Sequence, residues 1–560
     1  MKRYLLVLLL ALWLLQGESI LRAQHFSPVI ATRGMVVSAD SLASAVGKSI
    51  LQKGGNAVDA AVAVAFTLAV TYPNAGNIGG GGFMLIRTPQ NKIFALDYRE
   101  VAPLAASRDM YLDAEGRVIE NASLLGFKAS GVPGTVMGLW TVHHKFGKLK
   151  WRQLLEPAIN YAQNGFRLNR HQAWLLAHKK DKLSYCAATR KIFFKDDSSA
   201  YAPGEILRQT DLAKTLQRIA LYGYKEFYFG QTARLIAKQM KEHGGLITLE
   251  DLHKYKVKWR KPVRIDYRGF SIYSMPLPSS GGVLLAEILH VLQPFSLKEL
   301  GHNSAQYIHL LTEAERFAYR DRALYLGDPD FVQAPLERLL SAEYADSLRC
   351  RLSLLKAGKS DSGILLKETK ETTHFSVADA QGWAVSNTFT LNGNYGSGIV
   401  IEGTGILMNN EMDDFSIKPG APNQFGLVGN EANAIAPEKR MLSSMTPTIV
   451  LHNDSLYMVL GAPGGSTIIT SVLQVLLNVI DFGMNIRRAV EAPRFHHQWL
   501  PDVIEMEQFG FSNDTKDNLK NMGYRLRSVE SLGFVQAIRI AKGSLYGWAD
   551  PRSPGKAIGF

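Results

Sequence analysis

The stretch NAVDAAVAVAFTLAV, residues 56–70, is apolar on every side of any helix it could form. Such a helix has no face for water and must sit inside a body that covers it all round. It is too short to cross a bilayer, which takes about twenty apolar residues, so it reads as a central buried helix. The chain is 560 residues long. That is enough for three or four domains at about 150 residues each, or for one large α/β body. The preceding SLASAVGKSILQKGG reads as a helix closed by a glycine pair. After the buried helix, Gly79, Gly80, Gly81 and Gly82 lead into FMLIR. With no Gly-Lys-Ser/Thr ending and no G-x-G-x-x-G spacing, a tight turn with close backbone packing is expected there rather than a phosphate cradle.

The first residues read as an address. Met1, Lys2 and Arg3 precede an apolar run over residues 4–15 and a polar stretch over 16–24. This is the pattern of an export signal, with cleavage after Ser19 or Ala23, the bounds being 1–23 with an end between 19 and 24. An uncleaved membrane anchor is the alternative. The mature protein is expected to be exported, periplasmic or secreted. Only two cysteines occur, Cys186 and Cys350. A disulfide-rich scaffold, a four-cysteine zinc site and a cysteine-ligated cluster are thereby excluded, and one bridge at most is possible. The formal charge is +13, and the densest basic run is KYKVKWRKPVR, residues 254–264. Its period-2 pattern suggests a strand with one solvated face rather than a nucleic-acid or polyanion site.

Residues 130–330 read mostly as helices, interrupted by a strand pair near 264–275. At about residue 357 the pattern changes. Residues 357–371 are polar and charged without apolar periodicity, as in an exposed loop. TTHFSVADAQGWAVSNTFTLN then alternates on both sides of a turn at 380–382, which predicts a hairpin whose first strand begins at Thr372.

Serine-hydrolase and zinc-protease signatures are missing: there is no G-x-S-x-G and no H-E-x-x-H. His496 and His497 are adjacent, so on a strand they face opposite ways and do not share a metal. The juncture at Thr372 fits another chemistry. A threonine inside a chain has no base of its own, but a cut between Glu371 and Thr372 would give it an α-amine of pKa about 8, able to act as its general base. Two further segments fit. GAPGGSTIITSVLQVLLN puts Gly464 and Gly465 in a turn before an apolar helix, where bare backbone N–H groups suit an oxyanion. NNEMDDFS carries Glu411, Asp413 and Asp414, and LSSMTPT carries Ser443 and Ser444. Acids for an ammonium and hydroxyls for a carboxylate could together grip a zwitterion.

The runs TTHFSVAD, TFTLNGNYGSGIV, NNEMDDFS, LSSMTPTIV, GAPGGSTIITSVLQVLLN and APRFHHQW resemble the small subunit of γ-glutamyltranspeptidases. GGNAVDAAVAVAFTLAVTYPNAGNIGGGGFM, LDYREVAP and PLPSSGG resemble that family's large subunit. The likeness runs from about residue 36 to the C-terminus.

The resemblance implies an α+β fold, the four-layer α/β/β/α sandwich of N-terminal nucleophile hydrolases, formed jointly by a large subunit, 24–371, and a small one, 372–560. It implies a precursor that cuts itself between Glu371 and Thr372. Thr372 then attacks the γ-glutamyl amide of glutathione or a related compound, and the glutamyl group passes to water, an amino acid or a peptide. Thr390 matches the threonine that hydrogen-bonds the nucleophile, and Gly464 with Gly465 the oxyanion hole. Arg99, Ser443 and Ser444 match the α-carboxylate clamp, and Asn392, Glu411 and Asp414 the α-amine site. No metal and no organic cofactor are implied. Residues 419–430 match a lid loop that some members have. Its tip here is Phe425 where certain relatives carry Tyr, so a side-chain hydrogen bond to Asn392 is not expected. The rival readings are a cephalosporin or other amide acylase on the same scaffold, against which Asp414 and Arg99 speak, and an exported γ-glutamyl-binding protein that never matures.

Overall fold

The computed structural model describes residues 27–360 and 372–560. The leader and Glu371 lie outside the described residues. Two seven-stranded sheets, antiparallel throughout, form the body. In the first, Thr373–Asp379 and Ala384–Thr390 make the expected hairpin at the centre. Gly34–Ser38 and Lys556–Gly559 flank it on one side, and Gly81–Arg87, Ile93–Tyr98 and Lys258–Arg260 on the other. The second sheet runs from Val29–Ala31 through Ser544–Ala549, Gln536–Ala541, Ser455–Gly461 and Thr448–His452 to Phe270–Ser274 and Val263–Tyr267. The sheets pack face to face. Met35, Val37, Phe83 and Leu85 from one meet Leu460, Ala537 and Ile538 from the other in a single apolar core.

Helices cover both outer faces, giving four layers. Ala57–Thr71 lies on the hairpin sheet, and every one of its residues is buried. Helices Ser41–Gln52 and Trp151–Asn164 close over it, which is what a helix without a polar face requires. Asn56 and Asp59 form a capping box at its start, and Asp379 at the hairpin turn accepts from the Ala57 N–H at 2.9 Å. That carboxylate at a helix N-terminus ties the turn to the central helix. Helices Gly281–Leu292, Thr467–Ile480 and Ala305–Tyr325 form the opposite outer layer. The helix ends after SILQ and the strand pair near 264–275 fall where the sequence placed them.

Two expectations change in detail. The regular strand begins at Thr373, one residue later than expected. All seven of its residues are buried, because its polar face lies between the two sheets. Ser376 and Ser386 satisfy themselves on the carbonyls of Gln536 and Leu460 in the second sheet. The basic run does not form one wet strand face. Lys254 ends a helix and Lys258–Arg260 is an edge strand. Trp259 is the side chain left exposed there, while Arg260 turns in to Asp97 at 3.1 Å and Asp330 at 2.6 Å.

The four glycines are required by proximity. A Cβ on Gly79 would stand 2.0 Å from the Leu407 carbonyl oxygen, and on Gly80 2.0 Å from that of Thr390. The Gly81–Arg87 strand can therefore lie against the end of the hairpin, with Gly81 opposite Thr390 in register. Cys186 and Cys350 are both free thiols.

Candidate active site

Thr372 precedes the first hairpin strand and Thr390 ends the second, so the antiparallel pairing brings both to one rim of the sandwich. They line one small pocket together with Arg99, Asn392, Asp414, Ser443, Ser444, Gly465 and Phe425. Eight of the ten candidate residues beyond the cut site's Glu371 thus meet in one place. Gly464 adjoins Gly465 in the chain, and Glu411 lies 2.9 Å from Arg99.

Backbone geometry builds the nucleophile end. Thr390 Oγ1 accepts from the Asn392 N–H at 2.7 Å, and Asn392 adopts a left-handed φ of +75° that turns the chain out of the strand. Gly464 and Gly465 have φ of +137° and +57°, a conformation that side-chain-bearing residues rarely adopt. They lead into helix Thr467–Ile480, whose N-cap, Ser466, makes no side-chain cap bond. Tyr319, from the long helix Ala305–Tyr325, instead holds the Ser466 carbonyl at 2.6 Å. His374, two residues after Thr372, is not a base for it. Its ring nitrogens contact Thr388 and Ser376, and burial pulls it down to about 3, so it is neutral.

The opposite end is built from charge. Arg99 is fully buried and contacts Asp414 at 2.5 Å, Glu411 at 2.9 Å and Glu100 at 3.6 Å. Burial works against its charge, but the three acids outweigh that and hold the guanidinium above its ordinary value. Burial likewise pushes Glu411 and Asp414 above the usual carboxylate range, with Arg99 opposing, and takes Glu100 up to about 7. The Glu411 contact lies outside hydrogen-bond geometry, and Arg99 Nη1 makes no hydrogen bond among the described residues. Nη1 therefore faces Glu411 and Glu100 with its hydrogen-bond donors unspent. Asp413 of the acidic cluster faces away, accepting from Ser123 and from the Gln424 N–H.

The two serines are positioned by the PLPSSGG turn. Ser280 donates from both its N–H and its hydroxyl to the Ser443 carbonyl at 2.8 Å, and the Ser443 N–H donates to Pro278. Ser279 adds a bond to the Met445 carbonyl. One pocket residue escaped the sequence reading. Arg322, on the helix Ala305–Tyr325, reaches Ser280 Oγ at 3.1 Å and Ser444 Oγ at 3.4 Å. Burial lowers it to about 10, which leaves it charged at neutral pH. Nothing local sets it apart from Arg316 and Arg320 on the same helix; only the packing of that helix does.

His496 ends the strand Phe495–His496 and His497 follows it; they have separate partners, Thr470 and Gln498 for the first, Asp502 for the second. From residues 419–430, Phe425 and Leu427 line the pocket. The Phe425 ring lies on Gly465, where a Cβ would come within 2.4 Å of it, and Asn392 donates its side-chain amide to the Asn410 carbonyl instead of to the lid.

A pocket joining a strand-end threonine, a glycine turn without side-chain cover and a buried arginine among acids can bind a zwitterion and present its far end to a hydroxyl nucleophile. The chain as a whole resembles known proteins. The sequence profile of the γ-glutamyltranspeptidase family matches residues 43–560. The glutathione hydrolase proenzyme of Pseudomonas aeruginosa is 50% identical over 532 residues, 94% of each chain. That of Escherichia coli is 48% identical over 534 residues, 94% of this chain and 92% of its own. Among solved structures, the cephalosporin acylase of Bacillus halodurans superposes with a TM-score of 0.85 at 28% identity, over 97% of this chain and 99% of its own.

Proposed function

The chain belongs to the γ-glutamyltranspeptidase family, and from that premise we propose that it is a self-processing glutathione hydrolase and γ-glutamyltransferase whose nucleophile is Thr372. The precursor loses an export signal, residues 1–23, and divides between Glu371 and Thr372 into chains 24–371 and 372–560, which stay together as a heterodimer. The way both sheets are woven from segments on either side of residue 371 supports that pairing. No helix among the described residues is long and apolar enough to cross a membrane.

Each residue has a role that its surroundings favour. The freed α-amine of Thr372 takes the hydroxyl proton as Oγ1 attacks the γ-carbonyl. The oxyanion that forms is held by backbone N–H groups at Gly464 and Gly465. The amine leaving group departs with the proton, and the γ-glutamyl ester on Thr372 is then attacked by water or by the amine of an acceptor amino acid or peptide. Arg99, aided by Ser443, Ser444 and Arg322, holds the α-carboxylate, and Asp414 with Asn392 and Glu411 holds the α-ammonium. Thr390 steadies the turn beside the nucleophile. The observation that carries this reading is the pairing of buried Arg99 with Asp414 in the same pocket as Thr372. An acylase acting on side chains without an α-amine would have no use for that acid.

Denaturing electrophoresis of the purified protein should show two bands, the smaller beginning Thr-Thr-His-Phe, and the protein should release the chromophore from a γ-glutamyl anilide. A single uncut band without turnover would refute the assignment.

A further inference from the structure

Asn423 stands at the head of the lid and touches both the lid backbone and the acid beneath it. Its Oδ1 accepts from the N–H groups of Phe425 at 3.0 Å and Leu427 at 3.1 Å, and its backbone pairs with Gly426 and Leu427 to close a tight turn. Its Nδ2 donates to Asp414 Oδ1 at 3.2 Å. Asp414 Oδ2 is held by Arg99. The turn that Asn423 organises sets the Phe425 ring on Gly465, and Gln498 holds the Phe425 carbonyl from the other side at 3.2 Å.

We propose that Asn423 is a positioning residue that ties closure of the lid to an ionised Asp414, so that the covered pocket favours acyl donors bearing an α-ammonium group. This rests on the reading of Asp414 as the ammonium partner. An ionised carboxylate only accepts, so it takes the Asn423 amide hydrogen and holds the turn. Burial raises the Asp414 carboxyl above its ordinary value, while Arg99, Arg322 and Asn392 pull it back down. A proton on Oδ1 would face the Nδ2 hydrogens and remove that bond. A substrate ammonium keeps Asp414 ionised and thereby keeps Asn423 and the Phe425 turn in place over the glycine N–H groups. A donor lacking the ammonium fills the pocket without securing its cover.

The test compares the self-processed enzyme with its Asn423→Ala and Asn423→Asp variants on γ-glutamyl-4-nitroanilide and its desamino counterpart, glutaryl-4-nitroanilide. Asn423→Asp keeps the acceptor for the two lid N–H groups and loses the donor to Asp414, so it remains informative if Asn423→Ala folds poorly. The ratio of kcat/KM between the two substrates should fall about tenfold in both variants, the cost of one hydrogen bond to a charged group. In an Asp414→Asn background the Asn423 changes should move the ratio no further. Equal losses on both substrates would make the lid a simple cover and overturn the inference. A ratio that drops with Asp414→Asn yet holds with both Asn423 variants would overturn it alone. A ratio indifferent to Asp414→Asn would overturn the pocket reading with it.

Discussion

At the Thr372 end of the pocket, position is set by backbone; at the Arg99 end, long side chains and a balance of buried charge set it. Thr372, Thr390 and Asn392 come from a single hairpin and the turn that leaves it, and Gly464 and Gly465 from the turn before one helix. Arg99, Arg322, Asp414, Ser443 and Ser444 come from four separate stretches of chain, and they converge because three acids surround one guanidinium and one turn straps the serines. The first end should tolerate changes of charge and fail on changes of shape. The second should fail when either its charges or the planar fork that pairs them is changed.

The largest expected effect is at the nucleophile. Thr372→Ala should leave the precursor as one band and lower turnover by about 10⁴-fold or more, since the hydroxyl and the α-amine it would free act as a unit. Electrophoresis with a γ-glutamyl anilide assay reads both. Next comes the charge end. Arg99→Lys keeps the charge but loses the planar fork, and should cost about 10²-fold in kcat/KM. Self-cleavage should proceed at the parent rate, because the charge end grips substrate and not the cut site. A variant that stays uncut would show that the two ends are not separable.

Gly465→Ala breaks the shape end more gently. Its φ of +57° disfavours a side chain, and the new methyl would meet the Phe425 ring. A loss of about tenfold in kcat is expected, with KM little changed, because the oxyanion site and not the glutamyl grip is displaced. The smallest effect concerns pH and the charge end alone. Burial raises Glu100 to about 7, so between its unfolded value near 4.5 and about 7 the folded protein holds a proton that the unfolded chain has released. Its contribution to stability is therefore full below about 4.5 and is lost as pH rises through about 7. Glu100→Gln cannot ionise. Thermal melts at pH 5 and pH 8 should show the variant gaining on the parent as pH rises, and an unchanging difference would contradict the charge balance described here.

The same contrast explains what could be read from sequence. The buried helix, the hairpin and the Gly464–Gly465 turn are local patterns whose meaning lies within a few residues, and each appears where expected. Arg99 drew notice only through the resemblance of LDYREVAP to a known family, and Arg322 drew none. Their partners lie far away in the chain, Asp414 for one and Ser444 for the other, and no local rule reports that. Arg260 shows the same limit in a misreading. Period-2 alternation put it on a wet face, yet Asp97, more than 160 residues earlier, draws it inward. Asn423, in a loop of turn-forming residues, is likewise recognisable only once Asp414 is seen beneath it.

The central claim is that one cut makes Thr372 the first residue of a chain and its hydroxyl the group that carries the glutamyl ester. Acid quenching of the enzyme during turnover of a slow γ-glutamyl donor, followed by intact-mass measurement and fragmentation of the smaller chain, tests this directly. The account predicts a chain of residues 372–560 heavier by one glutamyl group, with the addition on Thr372. A glutamyl group on any other residue, or turnover by a chain that still contains the Glu371–Thr372 bond, would contradict it.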